Sequence, residues 1–196
     1  MVLFVYVDNS NVWIEGQHIQ AVRHGLASDP LDAMRRRVTP RWAYDFGRIY
    51  ELACPPNEQI GRSILFGSRP PANDTLWARA RAEGFEVKVL DRNAANKEKQ
   101  VDTSLATLMV DDSYEFMKPE RHDMVVLVAG DGDFVPPVRS VQRRGLRVRV
   151  VFWTHATSRE LYGIADEFAA LDPQFDLLTR PAGAMPAVST AAAPLA

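Results

Sequence analysis

Two uninterrupted apolar runs, residues 2–7 and 125–129, stand out in a chain whose other hydrophobic positions recur at helical or alternating spacing. Runs this short and continuous, rich in β-branched residues, predict strands buried on both faces, as in a parallel sheet. Both stop abruptly in polar residues: Asp8-Asn9-Ser10-Asn11 after the first, Gly130-Asp131-Gly132-Asp133 after the second. Residues 63–67 and 146–153 read as further strands, and 85–90, which alternates, as a half-exposed strand near a sheet edge. Helical spacing fills the intervals. One helix follows residue 11, with Ser10 or Asn11 available as N-cap. Thr39-Pro40 opens a second, carrying Ala43, Phe46, Ile49, Tyr50 and Ala53. Asn73 or Asp74 caps a third that ends at Gly84. A fourth opens at Lys99-Gln100-Val101-Asp102 and buries Val101, Leu105, Leu108, Met109 and Phe116, leaving Asp111 and Asp112 as exposed helix acids. A fifth runs from Phe134 to Gly145. A last one starts at Thr157-Ser158 and places Leu161, Ile164, Ala165 and Phe168 on one face, with residues 175–178 as a short final strand. Strand–helix alternation without adjacent strands implies a mainly parallel sheet with helices on both faces.

Composition narrows the class. At 196 residues the chain has room for one α/β domain. Residues 1–178 carry the periodicity, and the Ala/Pro-rich stretch 181–196 reads as a disordered tail. A net charge of −2 provides no global basic field for nucleic acid. Locally basic stretches exist at Arg35-Arg36-Arg37, read as a solvated face, and along Arg139, Arg143, Arg144, Arg147 and Arg149. The single cysteine, Cys54, excludes an internal disulfide and is read as packing. No apolar segment approaches the about 20 residues needed to span a bilayer, and no signal peptide is evident. A cytoplasmic protein is expected.

The candidate chemistry is acidic. Phosphate-cradling glycine fingerprints and a G-x-S-x-G elbow are both missing. His18, His24, His122 and His155 are scattered without zinc-ligand spacing and read as surface or capping residues. What remains is Asp8 and Asp131 at two strand ends, Asp133 beside the latter, and Asp102 opening a helix. Asp8 could serve only as a cap, and Asp102 only as a complement to the helix dipole. If the first strand and the Gly-Asp-Gly-Asp strand are neighbours, however, all four converge at the carboxyl edge of the sheet. Oxygen-only ligands of this kind suit Mg²⁺ or Mn²⁺, ions that cleave phosphodiesters by activating water and stabilising the leaving oxygen. Lys99, with Lys97 and Arg92 before it, could then hold substrate phosphate.

The order of Asp8-Asn9-Ser10-Asn11, then Lys99-Gln100-Val101-Asp102, then Ala129-Gly130-Asp131-Gly132-Asp133-Phe134 resembles the NYN domain. Within it the LabA-like branch of the PIN-type nuclease superfamily is the most similar. Residues 158–168 are similar to that family's last helix. The resemblance covers roughly residues 1–178 and implies a PIN-like three-layer α/β/α sandwich. It also implies metal-dependent endoribonuclease chemistry on RNA. The family's acidic positions map onto Asp8, Asp102, Asp131 and Asp133, with Asn11 in support. Two departures stand out: Ala129 where many members carry serine, and residues 24–40, which read as an insertion. A non-catalytic RNA-binding or regulatory module that keeps the acidic pocket is the rival reading. A Toprim-like phosphotransfer fold fits less well, because it expects glutamate where Asp8 stands. A homo-oligomer is compatible with everything above.

Overall fold

The computed structural model describes residues 1–68, 74–90 and 99–180. Its centre is a six-stranded sheet, parallel throughout, ordered β3-β2-β1-β4-β5-β6. The strands are β1 (Val2–Asp8), β2 (Gln59–Ser68), β3 (Glu86–Leu90), β4 (Met124–Val128), β5 (Arg147–Phe152) and β6 (Glu167–Ala170). Every residue of β1 and β4 is buried, as their unbroken apolar runs require. The helices are α1 (Asn9–Arg23), α2 (Pro30–Arg35), α3 (Phe46–Ala53), α4 (Asp74–Ala82), α5 (Lys99–Glu115), α6 (Val135–Arg143), α7 (Arg159–Ile164) and α8 (Phe175–Leu178). They flank the sheet, with α5, α6 and α7 packed in sequence beside one another. From β1 the chain winds outward through β2 to β3, then returns to the middle as β4 and winds the other way. The reversal falls between β1 and β4, the place where open α/β sheets bind ligands.

Four sequence expectations are corrected. No helix starts at Pro40; α3 begins at Phe46, capped by the Asp45 carboxylate, which accepts from the Arg48 amide. Trp42 and Tyr44 are buried while Arg41 is exposed, so this segment has an alternation of two and runs extended. It is bonded to the chain end through Asp45 N–H to the Leu178 carbonyl and Arg180 N–H to the Ala43 carbonyl. The last long helix is also shorter than its periodicity suggests. It stops at Ile164, and residues 167–170 add a strand to the open edge of β5. There Glu167 pairs with Arg147 and Arg149, at 2.7 and 2.6 Å. Residues 175–178 form one helical turn rather than a strand, because Phe175 and Leu178 must both face inward, and Phe175 stacks on Trp42 at 5.4 Å between centroids. Finally, Asp112 is not an exposed helix acid. It is buried, accepting from the Tyr6 hydroxyl at 2.7 Å and from Arg62 at 2.8 and 3.0 Å.

Candidate active site at the sheet switch point

The register pairs Val7 with Val128, so Asp8 and the Ala129-Gly130-Asp131 turn leave the sheet side by side. Asp8 does two things at once. It is the N-cap of α1, in place of Ser10 or Asn11, and its carboxylate accepts from the Asn11 amide at 3.0 Å. It is also only 3% exposed, and it hydrogen-bonds the carboxyl of Asp102 in the first turn of α5. Burial pushes the Asp8 pKa up to about 7. The amides of Asn11 and Ser10 oppose the rise, while the charge and hydrogen bond of Asp102 add to it. Two carboxylates held this way share a proton at low pH and need a cation at high pH.

Asn11 reaches across to the other strand end, its side-chain oxygen accepting from the Gly130 amide at 3.2 Å. Gly130 is held tightly on its far side as well. A β-carbon there would lie 2.2 Å from the Phe152 ring, and its carbonyl accepts from the Ser158 amide at 2.8 Å. Only glycine fits. Asp131 then caps a single 3₁₀ turn over Gly132–Phe134, accepting from the Asp133 amide at 3.0 Å, and both Asp131 and Asp133 are exposed. The structure therefore places buried Asp8, bonded to half-buried Asp102, at one strand end and the exposed Asp131–Asp133 turn at the neighbouring one. Among the described residues these four carboxylates are not drawn into a set of three mutually close donors. Arg92 and Lys97 lie outside the described residues, and Lys99 opens α5 three residues ahead of Asp102.

Two features were hidden from sequence reasoning. Tyr44 is buried over the site and donates to the Asn9 side chain at 2.6 Å; burial, then the Asp8 charge, raises its pKa well above the ordinary tyrosine range. Its alternation with Trp42 was the available signal. The second is a cluster of Glu15, His18 and His155, in which one carboxylate oxygen meets a ring nitrogen of each histidine at 2.9 and 3.1 Å. His18 and His155 are thus not surface or capping residues. A separation of 140 residues between Glu15 and His155 concealed their meeting.

The NYN domain model matches residues 5–172. The chain belongs to the NYN family. An NYN domain is a PIN-like nuclease-superfamily domain, which supports a nuclease or RNA-related role; nucleases of this family generally depend on a divalent metal. A crystal structure of a protein of unknown function from Vibrio parahaemolyticus is similar at a TM-score of 0.65 and 20% identity. The similarity covers 91% of this chain and 96% of that one, and supports the fold. No curated protein matches the chain. In this NYN domain the methyl of Ala129 is fully buried at the end of the β4 apolar run. No helix among the described residues is long and apolar enough to cross a membrane.

Proposed function

We propose that this NYN domain is a Mg²⁺- or Mn²⁺-dependent endoribonuclease, resembling the LabA-like branch and acting in the cytoplasm. The observation that carries this reading is the hydrogen-bonded pair of buried Asp8 and half-buried Asp102 at the sheet switch point, with its raised Asp8 pKa. An all-oxygen donor set of this charge fits a hard divalent ion. Asp8, Asp102 and Asp131 hold the ion, and Asp133 completes the site or orients the attacking water. A bound ion of this type lowers the pKa of water and stabilises the departing oxygen. Asn11 serves as a brace. Its backbone amide holds Asp8 and its side chain holds Gly130, so both strand ends keep their spacing. Lys99, with Arg92 and Lys97 shortly before it in the chain, supplies positive charge for the RNA phosphates.

The test is cleavage of a mixed single-stranded and structured RNA pool in Mn²⁺, Mg²⁺ or EDTA, comparing the natural chain with Asp8→Asn and Asp131→Asn. Metal-dependent cutting that falls at least about a hundredfold in either variant supports the reading, a loss of about 2.7 kcal/mol of transition-state stabilisation. Equal activity in chain and variants overturns the assignment. Retained RNA binding without cutting in any metal establishes the binding module instead.

A further inference from the structure

We propose that Glu15, His18 and His155 form a second metal site, distinct from the aspartate site and selective for Zn²⁺. One donor atom from each of Glu15, His18 and His155 lies within 4.8 Å of the other two. The carboxylate oxygen stands 2.9 and 3.1 Å from the two nitrogens. Ligands about 2.0–2.2 Å from a tetrahedral Zn²⁺ are about 3.4 Å apart, so on an ion the two oxygen–nitrogen separations open by a few tenths of an ångström and the two nitrogens close by at most about 1.4 Å. All three side chains are largely buried, at 16%, 5% and 12% exposure respectively.

The geometry is imposed by the fold rather than by the cluster itself. Glu15 and His18 share a face of α1, one turn apart. His155 sits in the turn after β5, which is fastened at both ends. Trp153 donates its indole N–H to the Val12 carbonyl at 3.1 Å, and the Ser158 amide donates to the Gly130 carbonyl at 2.8 Å. In the metal-free arrangement both rings must point a proton at the same carboxylate oxygen. Burial raises the Glu15 pKa, but the hydrogen bonds from His155 and His18 outweigh it and keep the carboxylate ionised. Meanwhile Nδ1 of His155 is buried without a partner, so nothing opposes moving the ring proton from Nε2 to Nδ1, which frees the Nε2 lone pair for an ion.

Two imidazoles and one carboxylate suit borderline ions, Zn²⁺ foremost, whereas the aspartates suit Mg²⁺ or Mn²⁺. The fourth position of the tetrahedron stays open to water. An ion here ties α1 to the β5–α7 turn, and that turn also carries the Ser158 and Phe152 contacts that hold Gly130 beside Asp131. It is therefore a clamp on the frame of the candidate active site, not a member of it.

The full chain, stripped with EDTA, is titrated with Zn²⁺ against a chromophoric chelator. One tight ion per chain is expected, undisturbed by millimolar Mg²⁺. His155→Ala or Glu15→Gln should weaken it by more than the roughly 10–100-fold that loss of an outer-shell partner costs. Asp131→Asn should leave it unchanged. Co²⁺ in place of Zn²⁺ should give the visible absorption of a tetrahedral N/O site, lost in His155→Ala. Should both cluster variants fail to fold, the cobalt spectrum of the natural chain decides. Absence of a tight ion, absence of the tetrahedral spectrum, equal affinity in folded cluster variants, or loss of zinc in Asp131→Asn each overturns the proposal.

Discussion

Asp8 carries opposing demands, and they make a sharp prediction. Its pKa lies near 7 in the folded chain against an ordinary 3.8, so the folded state holds a proton that the unfolded chain releases between those values. A raised acid pKa means stability that is full at low pH and lost as pH rises from about 4 through 7. Asp8→Asn removes this penalty. The metal-free variant is expected to melt higher than the natural chain at pH 8, by about 2–4 °C per kcal/mol relieved, while losing cleavage; thermal melts in EDTA at pH 5 and pH 8 check it. The same proton competes with a cation, so Mg²⁺ or Mn²⁺ affinity should climb as pH passes 7, measurable by calorimetry. Gly130→Ala is a second residue-scale test. The new methyl would meet the Phe152 ring, so the turn must move, and cleavage should fall more than stability. Asp8, Asp102, Asp131 and Asp133 were all visible in sequence as acids at strand and helix ends. That Asp8 is both cap and buried partner of Asp102 was not, because capping is local and burial is not.

At the scale of elements, side-chain periodicity was a good guide where one neighbour decided burial and a poor one where two competed. β1 and β4 lie where their apolar runs put them, since a central parallel strand is covered on both faces. Residues 40–45 followed their aromatics instead of the Thr39-Pro40 start signal. Trp42 stacks on Phe175, meets Trp153 edge-on and donates to the Thr179 hydroxyl, contacts that span three distant parts of the chain. Trp42→Ala is accordingly expected to cost about 3–5 kcal/mol, read from urea unfolding, by opening a cavity between α1 and the chain end. Helix propensity lost in the same way at residues 165–168, where the free edge of β5 offered backbone partners and paired arginines for Glu167.

Across the whole molecule, what matters for function is that β1 and β4 are neighbours. Their adjacency brings together segments more than a hundred residues apart, and the reversal of winding between them sets both carboxyl ends at the switch point. Far from that edge, Arg62 joins β2 to β3 and α5 through Glu86 and the buried Asp112. Arg62→Met leaves the buried Asp112 carboxyl with the Tyr6 hydroxyl and without its guanidinium partner. A loss of about 3–5 kcal/mol is expected in chemical denaturation, with metal binding at the aspartates retained in the folded fraction. The Ala/Pro-rich composition of 181–196 predicts that a chain ending at Arg180 keeps its melting temperature and any cleavage activity, checked by thermal melts and RNA cleavage of the shortened chain.

Sequence alone determined the parallel α/β class, the strand-end acids and the order of motifs that marks an NYN domain. Those depend on short-range periodicity and on side-chain chemistry that needs no partner to be recognised. Tertiary structure decided which acids are buried, which histidines meet, and where an extended segment replaces a helix. Each of those outcomes depends on surfaces contributed by residues far away in the chain, and a local pattern carries no record of them.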